Sequence, residues 1–249
     1  MIFLVNDFGA GGPYVGQMRT VLLCSAPNVP VVDLMLDAPS GNPKASAYLL
    51  AALVDRVPRG STVLAIVDPG VGTSARRAVV VCVDRRWFVG PDNGLFDVLA
   101  GRGEQCDAWL VTWRPERLSA SFHGRDLFAP IAARLSRHEP IDDSWLMPTE
   151  LTSSTRRWGE DLFEIIYVDH FGNATTGIRG TQLAPDSVLV VNEYALSYAR
   201  TFGSVTAGAS FWYENSNGLV EIAVNCGRAD KQLGVAIGDS VTLSSAHSL

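Results

Sequence analysis

The feature that most limits what this chain can fold into is a change of rhythm a little past its midpoint. Up to about residue 137, short apolar runs at residues 2–5, 29–36, 62–67, 78–83 and 109–112 alternate with helix-like stretches at 13–25, 43–56 and 126–137. The runs are continuous in Val, Leu and Ile, as expected of strands covered on both faces in a parallel sheet. The helix-like stretches begin with Pro13, Pro43 or Asp126, and the last ends in Arg137, which suits the helix dipole. From about residue 161 the helical spacing stops. Runs at 162–168, 187–191, 210–213, 219–224 and 240–243 are separated by Gly, Asn, Asp and Ser, and Asn217-Gly218 signals a tight hairpin.

These two patterns predict an α/β fold: a wound, mostly parallel sheet in an N-terminal domain over residues 1–140, then a small antiparallel β-barrel domain over 161–249. Between them, Pro140, Asp142-Asp143, Pro148 and the Ser/Thr run at 152–155 mark an irregular connector over 141–160.

Composition narrows the function. Acidic residues outnumber basic ones, 26 to 20, for a net charge of -6, and the only dense basic pairs are Arg76-Arg77, Arg85-Arg86 and Arg156-Arg157, so nucleic acid is not expected as a partner. No apolar run approaches the ~20 residues of a membrane helix. Residues 1–7 lack the basic start of a signal peptide, so the expectation is a cytoplasmic protein with no membrane partner. Cys24, Cys82, Cys106 and Cys226 form no Cys-x-x-Cys pair and read as reduced core thiols. The histidines show no metal-ligand spacing, and neither a metal nor a cofactor is expected.

Three segments carry candidate chemistry. Asn6-Asp7-Phe8-Gly9, continuing to Tyr14-Val15-Gly16, follows a strand and opens a helix. Its glycines allow a dinucleotide reading with Asp33 as the ribose acid, although the spacing is not the standard fingerprint. Asp7 at a strand's C-terminal end can accept both hydroxyls of a ribose, or it can cap the helix. Val67-Asp68-Pro69-Gly70-Val71-Gly72-Thr73 again ends a strand with a carboxylate, and Arg76 and Arg77 follow; the plain alternative is a turn with solvated arginines. Phe122-His123-Gly124-Arg125-Asp126 sets a histidine just before a helix, where it either serves a site or packs.

Together with Pro91-Asp92-Asn93-Gly94-Leu95, Asp169-His170-Phe171-Gly172-Asn173 and Asn215-Ser216-Asn217-Gly218 running into Glu221-Ile222-Ala223, these blocks resemble the S-adenosylmethionine (SAM) hydroxide adenosyltransferases, relatives of fluorinase and chlorinase. The resemblance spans nearly the whole chain. It implies a hydrolase in which water attacks C5′ of SAM to give adenosine and methionine, assembled as a homotrimer with sites at subunit interfaces. It further implies that Asp7 holds the ribose diol with Phe8 beside the substrate, that Asp169 meets the methionine ammonium and Asn173 the adenine, and that Ser216 closes the methionine end. The water-activating set becomes Asp68, one of the tandem arginines and His123. Counting from Asp68 puts Ala75 in the arginine position; counting from the following strand puts Arg76 there, and Arg77 stays open. Halogenating relatives carry a Tyr at the position of Asp68 and a Ser at that of Gly124, which favours hydrolysis. Gly12 stands where many relatives have an Asp near the methionine end. The other readings are a non-catalytic SAM or adenosine sensor, a SAM-dependent halogenase and an NAD-dependent oxidoreductase.

Overall fold

The computed structural model describes residues 1–73, 77–152 and 158–244, and the chain divides into two compact units, Met1–Arg157 and Trp158–Leu249. In the first unit, a seven-stranded sheet has the order β2-β1-β3-β5-β4-β6-β7. Its strands are β1 (Ile2–Asn6), β2 (Val31–Met35), β3 (Thr62–Ile66), β4 (Ala78–Val83), β5 (Arg86–Pro91), β6 (Cys106–Val111) and β7 (Leu146–Pro148). β2, β1, β3 and β5 are mutually parallel, and β4 runs against both β5 and β6, so β6 returns to the common direction. β7 pairs antiparallel to β6 at the edge, inside the stretch read from sequence as an irregular connector.

Helix α1 (Pro13–Ser25) matches its expected span, with Pro13 supplying a preset φ at the start. Helix α2 (Pro43–Leu53) is capped by Asn42, whose Oδ1 accepts from the Ala45 amide at 3.0 Å. Residues 45–52 of α2 are all buried. A single 3₁₀ turn, Val54–Arg56, follows it. Short α3 (Asp97–Arg102) packs with α2, whereas α1 packs with α4 (Ala129–Ser136). The crossovers from β1 to β2 and from β2 to β3 run in opposite directions across the sheet. Right-handed crossovers then carry α1 and α2 to opposite faces. The core between sheet, α1 and α4 holds Leu4, Met18, Leu22, Leu64, Ile66, Phe128, Ile131 and the fully buried Trp145. The Trp145 ring lies 4.1 Å beneath the Arg134 guanidinium, and its Nε1 donates to the Pro140 carbonyl.

The second unit contains antiparallel sheets built from β8 (Leu162–Val168), β9 (Ala174–Arg179), β10 (Val188–Val191), β11 (Tyr194–Leu196), β12 (Ser210–Glu214), β13 (Leu219–Val224) and β14 (Val241–Ser244). One is ordered β12-β13-β9-β8 and the other β11-β10-β14. A one-turn helix, α5 (Ala229–Gln232), lies against β13. Ile165, Ile178, Leu189, Trp212, Ile222 and Leu233 belong to its core.

One expectation needs correction. Cys24, Cys106 and Cys226 are exposed and Cys82 is half-buried, so the thiols are not core groups. Cys24 lies on α1, Cys82 on β4, Cys106 at the start of β6 and Cys226 in the turn after β13, and none of the four is fully covered. No helix among the described residues is long and apolar enough to cross a membrane.

Candidate active site

Open α/β sheets bind ligands beyond the C-terminal strand ends, at the point where neighbouring strands send their chains in opposite directions along the sheet. Here that point lies between β1 and β3, which are paired from Ile2↔Thr62 to Asn6↔Ile66. Asp7 immediately follows β1, and Asp68 follows β3 after Val67. Both carboxylates line one cleft of about 540 Å³, together with Phe8, Tyr14, Ser40 and Gly41. Its far wall is the segment from Ser119 to Arg125, which brings in His123. Four sequence candidates, Asp7, Phe8, Asp68 and His123, therefore meet in one place.

Each is held by local bonds. Asp7 does not cap α1; the cap position is Gly12 and makes no side-chain bond. Instead Asp7 Oδ2 accepts from the Gly41 amide at 2.8 Å, which ties the loop after β2 to the end of β1 and leaves Oδ1 for a ligand. Asn6 Oδ1 accepts from the Phe8 amide at 3.1 Å and shapes the turn. Asp68 Oδ1 accepts from the Gly70 amide at 3.2 Å. Just before it, the Val67 carbonyl accepts from Asn93 Nδ2 at 2.9 Å.

His123 precedes a π-helical turn, Gly124–Phe128, that leads into α4. Such one-turn widenings are frequent at functional sites. Arg125 and Asp126 form a two-point ion pair with contacts of 2.6 and 3.0 Å; Asp126 Oδ2 also accepts from the Ser119 amide at 2.9 Å. The hydrogen bonds from Arg125 hold the Asp126 carboxyl below the usual aspartate range. Arg125 reaches Gln17 of α1 at 2.7 Å and sits 5.1 Å above the Phe122 ring. Phe8, Tyr14 and Phe122 make a corner of mutually tilted rings with centroids 5.3–6.0 Å apart. Gly124 is buried where an added Cβ would stand 3.1 Å from Ile66 Cδ1 and 3.2 Å from Met18 Sδ.

The tandem arginines separate. Arg76 lies outside the described residues. Arg77 does not line the cleft. Its guanidinium bonds Thr149 Oγ1 at 2.7 Å and the Glu150 carbonyl at 3.2 Å, and it faces Asp92 at 3.5 Å. Asp33, the acid of the dinucleotide reading, pairs with Arg19 at 3.0 Å and is absent from the cleft lining.

The remaining candidates lie in the second unit. Asp169 and Asn173 close on each other: Asp169 Oδ1 accepts from the Asn173 amide at 2.8 Å, and Oδ2 accepts from Asn173 Nδ2 at 2.9 Å. Asn173 lines a second cavity of about 490 Å³ with Phe171, Phe202, Val224, Cys226, Gly227 and Arg228. Phe171 is 71% exposed, an unusual amount for a phenyl ring. Ser216 is exposed in the turn joining β12 and β13. That turn is fixed by Asn215, whose Oδ1 accepts from the Asn217 and Leu219 amides and whose Nδ2 donates to the buried Glu221 carboxylate. Glu221 also accepts from Thr175 Oγ1 and the Tyr213 hydroxyl. Sequence reading missed Asn93, Asp92, Glu221 and the Arg125–Asp126 pair as supports, because each acts across strands or through a neighbour.

Residues 2–144 match the family of SAM hydroxide adenosyltransferase N-terminal domains and residues 163–242 the corresponding C-terminal domains. An (R)-S-adenosyl-L-methionine hydrolase of Thermus thermophilus is 36% identical over 97% of this chain and 98% of its own length. One from Salinispora arenicola is also 36% identical, over 98% and 97%. A crystal structure of a conserved protein from Thermotoga maritima superposes with a TM-score of 0.88 at 29% identity, covering 98% of this chain and 100% of its own.

Proposed function

The chain belongs to the SAM hydroxide adenosyltransferase family, and we propose that it hydrolyses SAM to adenosine and methionine in the cleft between β1 and β3. The observation that carries this is the meeting of Asp7, Asp68 and His123 in one cleft at the sheet's switch point.

The sulfonium of SAM is already a good leaving group, so the reaction needs no acid. A water oxygen bonds to C5′ as the C5′–S bond breaks; sulfur keeps the electron pair and becomes the thioether of methionine. The protein has to align the water and take its proton. Asp7, with one oxygen held by Gly41, offers the other to the ribose hydroxyls. Asp68 and His123 orient the water and accept its proton, and Arg76 stabilises the developing negative charge. Alignment alone contributes about 7–11 kcal/mol to such a displacement. A fixed carboxylate beside the attacking position repels halide and accepts a proton, which favours water over chloride.

Asp169 meets the methionine ammonium, Asn173 the adenine and Ser216 the methionine carboxylate end; the built turns around all three support this. The hydrolase relatives are (R)-S-adenosyl-L-methionine hydrolases, which favours the R sulfonium epimer as substrate. The second unit is read as a closed barrel. Bridges Glu164↔Ser240 and Tyr198↔Trp212 link the two sheets at both edges and support closure. The family resemblance supports a homotrimer.

Incubation of the protein with each SAM epimer in oxygen-18 water tests the reaction. Adenosine labelled at O5′, with equimolar methionine and faster turnover of the R epimer, is the expected result. Saturable SAM binding without adenosine would replace the hydrolase with a sensor.

A further inference from the structure

The reaction requires the carboxylate of Asp68 and the imidazole of His123 to keep a fixed separation, yet they arrive on different segments. Asp68 is on the turn after β3, and His123 is at the end of the 119–123 segment. Gly72 is where these segments touch. Its φ is +81°, and a Cβ built there would lie 2.2 Å from the Ala120 carbonyl oxygen, with the carbonyl carbon at 3.4 Å. An ordinary carbon–oxygen contact is about 3.3 Å. Any side chain at Gly72 therefore forces the two backbones about 1 Å apart.

Both sides of the contact are braced. On the Asp68 side, the Val71 amide donates to the Asp68 carbonyl, and both the amide and Oγ1 of Thr73 bond the Gly70 carbonyl, the latter at 2.8 Å. On the His123 side, Asp126 holds the Ser119 amide while itself fixed by Arg125. Two stiff segments in backbone contact move as one body, and the contact sets the gap across which they face each other.

We infer that Gly72 is a positioning residue: its backbone contact with Ala120 sets the spacing of Asp68 and His123 for attack on C5′. This rests on the reading that those two side chains flank the attacking water. Gly60 supplies an internal control. It has the same φ of +81°, but an added Cβ there meets nothing within 4 Å. Gly60→Ala carries the backbone strain of Gly72→Ala without the collision.

The test compares Gly72→Ala, Gly60→Ala and the unaltered full chain for kcat and KM with SAM, for adenosine affinity by calorimetry, and for thermal midpoint. The expected result is a kcat for Gly72→Ala about 10- to 100-fold below that of Gly60→Ala, the scale of a ~1 Å misplacement. Adenosine affinity is expected to stay within about twofold, because Asp7 and Gly41 are not moved. Equal kcat in the two variants overturns the inference. An unaltered chain that makes no adenosine overturns the functional reading instead. If Gly72→Ala does not fold, Asp126→Asn loosens the same junction from the other side. It is expected to give the same fall in kcat with adenosine affinity kept, and an unchanged kcat counts against the inference.

Discussion

Replacing Arg77 with Met separates the tandem arginines by what each loss does. Arg77 makes two bonds to the segment after β7, at 2.7 and 3.2 Å, and faces the Asp92 carboxylate, whose side chain is 1% exposed. Among the described residues, losing the arginine leaves the Asp92 carboxylate accepting only from the Thr152 amide, at 3.3 and 3.2 Å. Breaking a buried ion pair costs about 3–5 kcal/mol. Arg77 is 30% exposed, so water offsets part of that, and about 2–3 kcal/mol remains. With a urea slope of about 2–3 kcal/mol/M, the unfolding midpoint falls by roughly 1 M. Near-UV circular dichroism along a urea series reads this, and adenosine formation by the folded protein gives the second coordinate. Arg77→Met is expected to lose stability and keep kcat within about threefold, whereas Arg76→Met is expected to keep stability and lose kcat by about 10²-fold or more. A stable Arg77→Met with collapsed kcat would refute the reasoning and return Arg77 to the chemistry.

Asp68→Asn and His123→Ala are each expected to lower kcat by about 10²–10⁴-fold. SAM affinity, measured by calorimetry, should change far less. Gly124→Ser brings in the side chain of the halogenating relatives at a position where Cβ contacts of 3.1–3.2 Å require small shifts. It is expected to cost about 1–2 kcal/mol and to yield no 5′-chloroadenosine in chloride while Asp68 remains, as read by chromatography and mass spectrometry. Burial and the bond to Glu221 push the Tyr213 hydroxyl far above its usual pKa. Above about pH 10 the unfolded chain loses that proton while the folded one keeps it, so this contribution to stability is full below pH 10 and declines as pH rises further. Tyr213→Phe is expected to flatten that alkaline decline in thermal midpoint. An acid counterpart lies at Asp126, whose lowered pKa gives stability present above about pH 4 and lost as pH falls below it. Asp126→Asn is expected to remove that share of the acid slope.

Particular residues show why some of this could be read from sequence and some could not. Pro13 and the spacing after it defined α1 residue for residue, and continuous β-branched runs located β1, β3 and β4. β5 escaped because its entry turn, Asp84-Arg85, takes positive φ at both residues without the usual Gly or Asn. β9 escaped because Thr175 and Thr176 look like surface residues. They are buried because their hydroxyls bond Glu221 and the Val220 carbonyl. In the cleft, Asp7 and Asp68 were visible as acids ending apolar strands. Asn93 gave no sign that it would hold the Val67 carbonyl from 26 residues away. The contact at Gly72 likewise arises only when two distant segments fold together.

The sheet order also bears on how length variation is tolerated near the chemistry. Chain leaving β3 must pass over the end of β5 to enter β4, because β5 lies between them. That crossing is two strand spacings, about 10 Å. The nine residue steps from Asp68 to Arg77 can reach about 30 Å when extended. The connection can thus reach about three times its span, and its two ends are fastened by Asn93 and Asp92 from one short segment. An inserted residue lengthens this connection and leaves those two fastenings where they are. The length of this connection can therefore vary while the Asp68 carboxylate at its start stays anchored next to a carbonyl held by Asn93.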